Sequence, residues 1–83
     1  MDELYNRLDR AVEQVNAVKS KVAKRDLIKM IRAIDTALTQ ADKELVECRR
    51  MHKETSRYRE LIQNATELIN NLEKYITFAA LIG

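Results

Sequence analysis

Three side chains in this sequence combine metal-binding chemistry with a matching spacing. Cys48 and His52 stand four residues apart and Glu44 lies a turn earlier, so a helix would set all three on one face. A structural zinc ion asks for four such ligands, and the chain holds one Cys and one His. Cys48 reads better as a small buried hydrophobe on a helix seam, and His52 as part of a turn. His52 and Ser56 form a second pairing, base and nucleophile. Nothing supplies a third group to orient the base, an oxyanion hole or a glycine-shaped pocket. Ser56 reads more simply as a helix cap. No metal, no cofactor and no catalytic residue is therefore expected.

Positive charge is the next feature with chemical meaning. Lys19, Lys21, Lys24, Arg25, Lys29 and Arg32 form one basic block, and Arg49, Arg50, Lys53, Arg57 and Arg59 a second. The charge alternates along the chain: −2 over residues 1–18, +5 over 19–32, −3 over 33–48, +4 over 49–59 and −2 over 60–83. The net charge is only +2 and the pI about 8.8, below what nucleic-acid domains usually show. Nucleic acid is an unfavoured partner on this balance. The blocks are expected at the ends of the first two helices, where cations suit the helix dipole.

The elements that must carry these groups are helices. With one Gly, no Pro and no Trp among 83 residues there is little to build tight turns or a β-meander. Three stretches show the 4-3 spacing of a helix seam: Leu4, Leu8, Ala11, Val15, Val18, Val22; then Leu27, Ile31, Ile34, Leu38, Ala41, Leu45, Cys48; then Tyr58, Ile62, Ala65, Ile69, Leu72, Ile76, Ala79. The expected fold is all-α: an antiparallel helical hairpin with an additional N-terminal helix, packed like a coiled coil in one domain over residues 1–83. Helices are expected over about 3–22, 27–51 and 57–80. The wholly polar interval His52-Lys53-Glu54-Thr55-Ser56-Arg57 makes a turn over 52–57, with Thr55 or Ser56 as N-cap. Between Val22 and Leu27 the apolar phase slips across Ala23-Lys24-Arg25-Asp26. Asp26 is placed to cap a helix there, although without Gly or Pro the backbone could equally run straight through.

The apolar stripes are wider than a strict seam. The second helix adds Ile28, Met30, Ala37 and Val46, and the third adds Leu61, Leu68, Tyr75 and Ile82. A two-helix hairpin cannot cover both stripes internally, so the surplus must meet the first helix or another protein. The C-terminal run Tyr75-Ile76-Thr77-Phe78-Ala79-Ala80-Leu81-Ile82 is apolar on nearly every side, with Phe78 pointing away from the main stripe. Its longest apolar run is far too short to span a bilayer. The acidic start Met1-Asp2-Glu3-Leu4 reads as no secretory signal, and a lone thiol suits a reducing compartment, so the cytosol is the expected address.

The second half of the chain carries a resemblance. Ala37-Leu38-Thr39-Gln40-Ala41-Asp42-Lys43-Glu44, a polar turn, Ser56-Arg57-Tyr58-Arg59-Glu60 and Ala65-Thr66-Glu67-Leu68-Ile69-Asn70-Asn71-Leu72-Glu73-Lys74-Tyr75-Ile76 resemble the small E-type co-chaperones of bacterial type III secretion needles, which are two-helix hairpins. Tyr58, Ala65, Ile69 and Tyr75-Ile76 fall at matching places: an aromatic near the start of the last helix, a small residue in its middle, an aliphatic and aromatic pair near its end. The likeness covers roughly residues 27–79, while residues 1–22 make a better heptad helix than that family's short N-terminus. The resemblance implies a non-enzymatic protein of the bacterial cytosol. It would bind a larger, tetratricopeptide-like chaperone of helical repeats and, through it, help keep a needle subunit monomeric. On that reading Leu61, Ile62, Leu68, Ile69, Leu72, Tyr75, Ile76 and Phe78 are the expected partner-binding set, shared between core and interface. Self-association into a coiled-coil bundle is the alternative use of the same stripes.

Overall fold

The computed structural model describes the backbone of residues 2–82 and the side chains of residues 2–81. Three helices follow one another: α1 Asp2–Asn16, α2 Lys21–Met51 and α3 Ser56–Ile82. Among the described residues there is no strand. The rod they form measures 49 × 18 × 15 Å, its long axis set by the 31-residue α2 at about 1.5 Å per residue.

Residues 23–30 of α2 share a groove with 75–79 of α3, and residues 40–47 share another with 57 and 61, so the two long helices run antiparallel. Antiparallel pairing matches the expectation, and the turn accounts for it. His52 closes α2 in the left-handed region, at φ 53 and ψ 38, with its N–H on the Cys48 carbonyl. The Lys53 N–H reaches the same carbonyl at 3.1 Å, the long bond of a Schellman turn. The Thr55 carbonyl then accepts the first bond of α3, from the Arg59 N–H at 2.9 Å. A β-carbon makes the left-handed conformation costly, by about 1–2 kcal/mol. His52→Gly is therefore expected to raise the unfolding free energy by roughly 0.5–1 kcal/mol, read from the urea midpoint at unchanged slope.

The joint between α1 and α2 departs from expectation. The first helix stops at Asn16 instead of running to about 22, and α2 begins at Lys21 instead of about 27. Ser20 is the reason. Its extended backbone (φ −71, ψ 119) and its Oγ, accepting from the Ala23 N–H at 3.3 Å, make it the N-cap. Upstream, the Ala17 and Val18 N–H groups bond to the Gln14 and Val15 carbonyls in the tight i to i−3 pattern that often ends a helix. The Lys24 ammonium closes the joint by donating to the Asn16 carbonyl at 3.3 Å. Residues 23–26 are thus continuous helix, Asp26 caps nothing, and the phase slip is simply Val22 turning outward to solvent.

This shift also moves the first basic block. It sits at the beginning of α2, not at the end of α1, and the first turn of α2 holds no acidic residue. Lysines there oppose the helix dipole.

Helix α1 lies on one face of the hairpin, parallel to α3. Near its start Arg7 pairs with Glu73 and donates through Nη2 to the Asn70 Oδ1 at 2.7 Å, and near its end Gln14, Ala17 and Val18 meet Ile76–Ala80. The Tyr5 hydroxyl donates to the Asp42 carboxylate of α2 at 2.6 Å. Between the three helices Leu4, Leu8, Ala11 and Val15 close over Leu27, Ile34, Leu38, Ala65, Ile69, Leu72 and Ile76. Toward the turn the hairpin continues on buried Ala41, Cys48 and Leu61, which stand outside that cluster. No buried polar residue interrupts this core among the described residues, as a narrow seam of helices demands.

Candidate interaction surface

The expected partner-binding residues divide by helical phase. Leu61, Ile69, Leu72 and Ile76 are buried, Ile69 and Leu72 completely, and they belong to the core. Ile62 and Leu68 are half-buried at its edge. Tyr75 and Phe78 stand out, 56% and 61% exposed, and with Leu81 they form the apolar outer side of the end of α3. Ile82, the last member of the wider stripe, has its side chain outside the described residues.

Tyr75 and Phe78 are one wall of an open groove of about 550 Å³ whose floor is Leu27 and Ala79 and whose far wall is Ala23, Asp26 and Met30 of α2. The groove lies on the face of the hairpin opposite α1. The spacing settles this: from Leu72, the residues that meet α1 (Glu73, Ile76, Thr77) lie one way round α3, and Tyr75 and Phe78 lie the other way. Toward the turn the same face becomes polar, bounded by Gln40, Glu44, Glu47, Lys53 and Arg57. Apolar surface on this side is therefore concentrated at the end where α2 begins and α3 finishes.

The sequence points to Tyr75, Phe78 and Met30 but not to the rest of the far wall. Ala23 and Asp26 fall in the expected joint, and only the Ser20 cap, which turns residues 21–26 into helix, brings them alongside α3. Ser20 three residues ahead of Ala23 is the available signal.

The rim of the groove is charged. Val22, Asp26 and Lys29 follow one flank of α2 at i, i+4 and i+7, and Lys74 stands one turn before Phe78 on α3, both exposed. Of the charged residues only Asp26 lines the groove itself.

The groups with catalytic or metal-binding chemistry are placed otherwise. Cys48 is buried, and its thiol donates to the Glu54 carbonyl at 3.3 Å, with the Glu44 carboxylate farther off at 3.9 Å. Desolvation first, and then the Glu44 charge, push its pKa up, so the thiol is held protonated. His52 is exposed at the cap, and no three of His, Cys, Asp and Glu come together to hold a metal among the described residues. No helix of the described chain is long and apolar enough to cross a membrane.

One titration reports on the packing of α1. The hydrogen bond to Asp42 raises the Tyr5 pKa to about 12, with desolvation and the Asp42 and Asp35 charges adding to it. Because the folded pKa lies above the ordinary value, the stabilisation is complete below pH 10 and is lost as pH rises through about 12. In an absorbance titration, Tyr5 is expected to ionise near pH 12, and Asp42→Asn to bring it back toward the ordinary tyrosine value of 10. An unchanged curve in Asp42→Asn would place Tyr5 away from Asp42.

Compared with protein-family models, with curated protein sequences and with solved structures, the chain matches none of the three.

Proposed function

We propose that the chain is a non-enzymatic docking protein of the kind its second half resembles: a small E-type co-chaperone. It binds a helical-repeat, tetratricopeptide-like chaperone and, through it, helps keep a type III secretion needle subunit monomeric in the bacterial cytosol. The observation that carries this reading is the uncovered apolar face of the hairpin, where Tyr75 and Phe78 stand more than half exposed beside Leu27, Met30 and Ala79. Burying one large apolar side chain contributes about 1.5–3 kcal/mol. A clustered aromatic pair left in water on so small a domain marks a surface meant for a partner.

The physical logic of such a pair of chaperones suits the fold. A needle subunit's amphipathic helix aggregates until it is covered, the larger chaperone covers it, and the small helical protein steadies that chaperone. Only apolar surface and shape are required of the small partner, and these are what the hairpin offers.

Affinity purification of the tagged chain from its source cells, with mass spectrometry of stoichiometric companions, tests the reading. A helical-repeat chaperone at equal stoichiometry, with or without a short needle subunit, is the expected result. A pure homo-oligomer with nothing else bound would replace it by the self-assembling bundle.

A further inference from the structure

We infer that the tip of the rod where α2 begins and α3 finishes is a contact for an anionic phospholipid surface, made by side chains that the docking function does not use. Two features meet there. The first is charge. Residues 17–25 hold Lys19, Lys21, Lys24 and Arg25 and no acid, and residues 75–81 of α3 are uncharged. Lys24 is turned to the Asn16 carbonyl. Lys19, Lys21 and Arg25 are exposed and form no ion pair among the described residues. The nearest acids along the chain, Glu13 and Asp26, lie about a turn back from the tip. The second feature is apolar. Val22 and Leu81, 75% and 79% exposed, are the most exposed large apolar side chains among the described residues. Ala23 and Ala79 line one groove between α2 and α3, so Val22 and Leu81 come just beyond them, at the tip.

Bare cations beside bare aliphatic side chains suit the boundary of a bilayer. Phosphate headgroups attract each Lys or Arg near the surface, and the acyl region below takes the apolar side chains. Other anionic partners meet only part of this pattern. The end of a rod 18 × 15 Å across offers less than the roughly 800 Å² that each side of a standard protein interface buries. On the tip alone, neither a second copy nor another protein finds enough area. A nucleic acid would pair with the cations and leave Val22 and Leu81 in water. Lying along the rod, it would also run onto Asp26, Asp35 and Asp42 of α2. A bilayer touches the tip without reaching those acids.

The test is co-sedimentation of the intact chain with vesicles, either of phosphatidylcholine alone or of phosphatidylcholine and phosphatidylserine in equal parts. Binding to the anionic vesicles is expected to be at least about tenfold tighter, and to fall as salt rises. Lys19→Glu combined with Lys21→Glu is expected to weaken it at least about thirtyfold. An acid at position 21 suits the first turn of α2, so the helical circular dichroism should stay. Leu81→Ser, at an exposed position, is expected to keep the dichroism and to lose at least about threefold. Equal binding to the two kinds of vesicle, or binding to neither, overturns the inference. So does anionic-vesicle binding that the double variant leaves unchanged. Retention on a duplex oligonucleotide, unchanged in Leu81→Ser and with no vesicle bound, assigns the tip to nucleic acid. The two proposals fail separately. A chaperone complex with no vesicle binding keeps the docking function and removes this contact, and vesicle binding without any chaperone complex does the reverse.

Discussion

Ile69→Asp is expected to abolish the folded state at neutral pH. Ile69 is 0% exposed in the centre of α3, in the same cluster as Ile34, Leu38, Ala65 and Leu72. Two costs add there. Removing a buried Ile side chain takes away about 2–5 kcal/mol of packing. A carboxylate in that position must either stay charged without a partner or hold its proton against a pKa raised by roughly 3–5 units, at about 1.4 kcal/mol per unit. A domain of 83 residues has about 4–12 kcal/mol in total, so the sum meets or exceeds it. Far-UV circular dichroism is expected to lose most of its helical signal, while Phe78→Asp at the exposed groove keeps it. Since the introduced acid is protonated more readily in the fold than out of it, helicity should recover in part as pH falls. An Ile69→Asp variant that melts like the parent would mean that this face of α3 is not in the core.

The contrast between Ile69 and Phe78 shows what is legible in the sequence. The three apolar runs specify helices and their buried faces, because burial in a helical seam recurs every three to four residues and leaves that period behind. Leu4, Leu8, Ala11, Val15, Ile34, Leu38, Ala65, Ile69, Leu72 and Ile76 are all core residues and all lie on the expected seams. The α1–α2 joint is not legible from that period. Val18 and Val22 continue the heptad of α1, but a hydroxyl at Ser20 satisfying one N–H decides where the helix begins, and Val22 is left 75% exposed. Capping chemistry overrides hydrophobic phase. The groove follows the same pattern: its α3 wall and Met30 are readable from surplus apolar residues, whereas Ala23 and Asp26 depend on that cap. Local hydrogen bonds set where elements end, and where elements end sets which surfaces meet.

Helix α1 ties these levels together, and its removal is the second large effect. Val15 is 1% exposed and faces the hairpin in the last turn of α1. Val15→Asp places an unpaired charge in that seam, opposing the attachment of the last turn. The remaining ties of α1 are Leu4, Leu8 and Ala11 in the seam, the Arg7 bonds to Glu73 and Asn70, partly open to solvent, and the Tyr5–Asp42 bond. The polar contacts contribute about 0–1 kcal/mol each, so the hold of α1 rests on its apolar seam, which a charge at position 15 opens from one end. A free segment of 15 residues is at the margin of helix formation in water and melts when released. Its loss uncovers Ile34, Leu38, Ile69 and Leu72, which have no other cover on that side. The hairpin cannot keep those residues in water, so α1 and the hairpin are expected to unfold together. Val15→Asp should give one cooperative urea transition, displaced by at least about 3 kcal/mol, with the Tyr5 titration shifting to the ordinary tyrosine range in the unfolded fraction. Two separate transitions, the first losing only α1, would show that the hairpin stands without it. In that case the face under α1, as well as the groove opposite, would be open to a partner helix, and α1 would act as a displaceable cover over a second seat.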